Sequence, residues 1–150
     1  MSCDAVAAAL LLVSPAPGLA ARSAWSAPPP IRIVAPLGVN PLAREPLYAR
    51  IIAEAKALRR RAASAAPGDL APGIARLAEL DMQGHLDLAR RGTDGDLKCI
   101  LKGISQDLPR KLAELTAAET PEARALARRE LDALLRDNVE VITSPPKPPV

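Results

Sequence analysis

The chain has 150 residues, 49% hydrophobic and 25% charged, and its 20 Lys and Arg against 17 Asp and Glu leave a net charge of +3. Such a length describes one small domain with extended ends rather than two domains. Trp25 and Tyr48 are the only aromatic residues, which excludes the aromatic-rich faces of an all-β fold and any nucleic-acid reader that stacks bases on rings.

Residues 5–13 form an uninterrupted apolar run. It is too short to span a bilayer, which takes about 20 apolar residues. Pro15, Pro17 and Gly18 break it, and Gly18-Leu19-Ala20 places small residues where a signal peptidase cuts. That order is expected of a secretory signal over 1–20, although Met1-Ser2-Cys3-Asp4 lacks the usual Lys or Arg. Residues 21–40 read as a Pro- and Ala-rich linker, with Pro28-Pro29-Pro30 favouring polyproline II. A Pro-rich tail over 144–150 reads as extended. Between them, 41–143 reads as a helical domain.

Four segments of that domain carry helical period. The first covers 46–66, where Leu47, Ile51, Ala55, Leu58 and Ala62 make one stripe and Pro67-Gly68 ends it. The second opens at Asp69 as N-cap, or after Ala71 with Pro72 in its first turn. Leu70, Ile74, Leu77, Asp81, Gly84 and Leu88 share its inner face, and Gly92 stops it after Arg90-Arg91. The third opens with Thr93-Asp94-Gly95-Asp96, a capping-box-like start in which Asp94 and Asp96 read as caps. Its stripe is Leu97, Leu101, Ile104, Leu108, Leu112 and Leu115, and Pro109 inside it predicts a kink. Thr120, Pro121 and Glu122 start the fourth as N-cap, first residue and first-turn acid. Ala127, Leu131, Leu134, Leu135, Asn138, Val139 and Ile142 continue it, the β-branched end leaving an extended finish open. Short links between such helices predict an all-α, up-down bundle of three to four antiparallel helices. A Leu and Ala core without aromatic plugs predicts modest stability, or a second copy that supplies buried area.

Asp81, His85 and Cys99 form the sharpest catalytic arrangement on offer. Asp81 precedes the chain's single histidine by one helical turn, and a hairpin would bring Cys99 of the next helix toward both. Lys98 and Lys102 would favour a Cys99 thiolate, but beside Ile100 and Leu101 the same thiol serves as packing. Met82 and His85 lie on one side of one helix and cannot ligate opposite faces of a haem iron. Asp87, Asp94 and Asp96 lack the spacing of a calcium loop, and no phosphate-binding or metalloprotease motif occurs. No cofactor or metal is expected. Arg59-Arg60-Arg61, Arg90-Arg91 and Arg128-Arg129 are short runs interrupted by acids, so they read as solvated helix ends with at most a weak anionic-surface contact.

These readings converge on a non-enzymatic helical bundle, periplasmic or secreted. Its expected role is interaction or structure in the bacterial cell envelope, through a protein partner or self-association on apolar helix faces. Neither nucleic-acid binding nor a transmembrane span is expected. A cytosolic helical adaptor that keeps its leader is the alternative, and a thiol-dependent activity of Cys99 near His85 stands third.

Overall fold

The computed structural model describes residues 40–92 and 95–144. The chain divides into two units between residues 36 and 37, and the described residues all fall in the second, Leu37–Val150. The leader, most of the linker, the tail beyond Ser144, and Thr93 and Asp94 lie outside the described residues. Within the second unit a 3-10 turn, η1 (Pro41–Arg44), precedes α1 (Pro46–Ala62), α2 (Pro67–Arg90), α3 (Asp96–Ala117) and α4 (Pro121–Thr143). The fold is an all-α bundle of four helices, with no strand among the described residues.

Prolines and caps set the helix starts. Pro46, Pro67 and Pro121 each occupy the first turn, where a missing N–H costs nothing. The Thr120 hydroxyl accepts the Ala123 N–H at 3.1 Å, the cap anticipated for α4. The boundary between α1 and α2 departs from the sequence expectation. Pro67 begins α2 rather than ending α1, and Ala66 before it is forced to ψ 148, outside the helical region. The first helix therefore stops at Ala62, and Pro72 falls inside α2 beyond its first turn. Gly95 is the N-cap of α3 and makes no side-chain bond, so Asp96 serves as a first-turn acid rather than a cap. Gly92, at φ 66, supplies the left-handed residue that closes α2. At the far end the helix continues through Val139, Val141 and Ile142 to Thr143, because Ile142 is buried and packing outweighs β-branching.

The helices form a closed ring in which α1 packs on α2 and α4, and α3 packs on α2 and α4. The backbones of the two diagonal pairs, α1 with α3 and α2 with α4, stay more than 8 Å apart. The anticipated stripes turn inward, with Ile51, Leu77, Leu101, Leu108, Leu131 and Leu135 fully buried. One core member differs from the expected stripe: Tyr48, rather than Leu47, occupies the first inner position of α1 and is 0% exposed. Its hydroxyl donates to Asp87 Oδ2 at 2.9 Å, so the ring fills the interior while the polar tip reaches a partner. Burial and the Asp87 carboxylate both raise the phenol's pKa. The missing aromatic plug is thus present. The Asn40 N–H, 3.4 Å from the Thr143 carbonyl, ties the start of the bundle to its end.

Candidate functional site

Asp81 lies on the inner stripe of α2, one turn before Gly84, and is 0% exposed. Its carboxylate makes no hydrogen bond to His85 or Cys99. Oδ2 instead accepts the Asn138 Nδ2–H at 2.7 Å, across the diagonal from α4. Burial pushes the Asp81 pKa up to about 7, and the Asn138 hydrogen bond opposes that rise. Asp81 Oδ1 and Asn138 Oδ1 are both buried without a hydrogen-bond partner. His85, half-buried on the flank of α2, places Nδ1 2.7 Å from the Lys98 carbonyl of α3. That contact fixes the imidazole against the α2–α3 seam. Cys99 is half-buried on α3 and already engaged, so the free thiolate that the catalytic arrangement needs is not on hand. The bundle therefore gives Asp81 and His85 separate partners. Among the described residues no three His, Cys, Asp or Glu side chains gather where a metal would need them.

A second arrangement was not legible as a stripe. The C-terminal end of α1 and the middle of α4 form an open groove of about 430 Å³, lined by Ala62, Ala63 and Ala133 with Arg128, Arg129, Asp132 and Arg136. The arginine runs of two distant segments meet here. Arg128 donates to the Ala62 carbonyl and, at 3.0 Å, to the Ala65 carbonyl, satisfying acceptors that the end of α1 leaves open. Arg59 forms a two-pronged pair with Asp132 at 2.8 and 3.2 Å, which raises the pKa of Arg59 and occupies the only lining acid. Arg129 and the neighbouring Arg60 have no acidic partner among the described residues, and Arg136 bonds only to Asp137 beside it in sequence. Both rim arginines of α4 are exposed. The result is a small-residue floor under a cationic rim.

A smaller groove of about 290 Å³ lies between α3 and α4, with Leu126 over Ala117, Ala118, Ala123 and Ala127. Glu114 and Glu130 wall it, and both are held by Lys111 at 2.8 and 2.7 Å. No helix among the described residues is long and apolar enough to cross a membrane.

Fold and groove together define a four-helix bundle with a cationic interhelical surface. No protein-family model, curated protein or solved structure matches the chain.

Proposed function

We propose that the chain is a non-enzymatic, exported interaction protein of the bacterial cell envelope, and that its α1–α4 groove grips an acidic helix of a protein partner. The observation that carries this reading is the pair of rim arginines, Arg129 and Arg136, without a cross-helix acid above an alanine floor. Guanidinium forks match carboxylates, and their apolar faces and the small floor admit close approach of a partner backbone. Arg129 and Arg136 lie two turns apart on α4, about 10.5 Å at the α-helical rise. That spacing suits carboxylates seven residues apart on a partner helix laid along the groove. Export rests on the apolar run and the small-residue site of 1–20.

The test is isothermal titration of the full chain with a helical peptide that carries Glu at positions seven apart. Binding is expected to weaken with salt, because exposed charges are screened within about 8–10 Å. The double variant R129E/R136E should weaken it at least tenfold, while R110E on α3 should not. Equal affinity for all three proteins would sink the groove reading. Intact mass from native cells tests export separately: a loss of about the first 20 residues is expected of a cleaved signal.

A further inference from the structure

Among the described residues the bundle interior holds one carboxyl group, and its setting is incomplete in a specific way. Asp81 and Asn138 come from helices that are diagonal in the ring, and both are 0% exposed. One hydrogen bond joins them, from Asn138 Nδ2 to Asp81 Oδ2. The remaining oxygen on each side, Asp81 Oδ1 and Asn138 Oδ1, has no donor. A carboxylate and an amide carbonyl are both acceptors there, so the pair is one proton short of completion. A proton on Asp81 Oδ1 would donate to Asn138 Oδ1 and satisfy both orphan atoms at once. The acid and the primary amide would then share two hydrogen bonds in a ring.

We propose that Asp81 and Asn138 form a proton-operated clasp between α2 and α4, closed by two hydrogen bonds when Asp81 is the neutral acid and left with the single Asn138 N–H bond when its proton leaves to bulk water. Among the described residues nothing charged in the interior offers another means of holding the carboxylate. The buried side chains of α3 are Leu101, Ile104, Ser105, Leu108 and Leu115, and those of α4 besides Asn138 are aliphatic. Only Tyr48 is titratable among those of α1, and its hydroxyl is engaged with Asp87. On α2 itself, Asp87 is paired with Arg91 at 2.8 Å and His85 is held by the Lys98 carbonyl. Burial and the Asn138 bond are the influences on the Asp81 carboxyl, and burial prevails.

The sign follows from linkage. The folded chain holds a proton on Asp81 up to about pH 7, whereas an unfolded Asp gives it up near 3.8. Between those limits the folded state binds more protons, so stability falls as pH rises. One linked proton makes the unfolding constant rise about tenfold per pH unit across that window, levelling above about pH 7. Most acidic groups act in the opposite sense, so the direction is diagnostic.

The experiment is urea unfolding of the full chain at pH 5, 6, 7 and 8, for the native protein and for Asp81→Asn, which mimics the neutral acid. The native protein should lose stability by up to about tenfold in the unfolding constant per unit from pH 5 to 7, and Asp81→Asn should lack that dependence. Parallel pH profiles for the two proteins would overturn the clasp. Infrared spectroscopy of the native chain keeps the question open to test if the variant does not fold. A carbonyl band of a protonated carboxylic acid should be present at pH 6 and fall to about a tenth of that strength by pH 8. Its absence at pH 6 would overturn the clasp equally.

Discussion

Gly84 shows how a single residue determines how closely the helices pack. An added Cβ would meet Leu101 Cδ1 at 3.0 Å, Ile51 Cδ1 at 3.3 Å and Tyr48 Cε1 at 3.5 Å. Those side chains come from two neighbouring helices and are fully buried, so any shift must be taken up by the packed core. Gly103 is also helical, yet a Cβ there meets nothing within 4 Å. The same substitution should therefore have opposite signs at the two sites. Gly103→Ala gains about 0.5–1 kcal/mol from backbone entropy alone. At Gly84 that gain is set against overpacking of about 1–3 kcal/mol, and a net loss on the order of 1 kcal/mol is expected. Urea midpoints of the two variants check the pair. Two stabilised proteins would show that the Gly84 contact yields without cost.

At the scale of elements, Pro109 is the clearest local conflict. It lies on the exposed side of α3, which continues from Asp96 to Ala117 despite it. Proline there removes one backbone donor and crowds the preceding turn. The helix persists because Leu108 and Leu115 on either side are buried, at 0% and 1% exposure. Pro109→Ala should therefore restore a hydrogen bond without disturbing the core and stabilise the bundle by about 1–3 kcal/mol. A variant with an unchanged or lower urea midpoint would contradict this. The helices themselves were legible because the stripes, Thr120-Pro121 and Gly92 are local signals. What faces what across helices was not. Asp81 and Asn138 both fell on the helical stripes, but their 57-residue separation gave no hint that they bond. The arginine groove was hidden for the same reason. Arg59-Arg60-Arg61 and Arg128-Arg129 are short, ordinary runs until the ring brings α1 beside α4.

For the whole molecule, the physical question is whether one copy closes its own core. A scarcity of large side chains argued for a second copy, but the ring answers part of that need with Tyr48 and with aliphatic residues from every helix. The large apolar side chains left exposed among the described residues are Leu86, Ile100 and Leu126, at 52%, 39% and 50%. They lie on three different helices. Single exposed aliphatic residues are ordinary on monomeric proteins, whereas stable dimers bury a continuous patch of at least about 1,000 Å² in total. The α1–α4 groove works in the same direction, because two copies meeting there would set arginines against arginines. The full chain should therefore sediment as a monomer at micromolar concentration, and Leu126→Ser should leave both its mass and its urea midpoint nearly unchanged. A dimer that dissociates on that substitution would move the interaction surface from the cationic groove to the α3–α4 face.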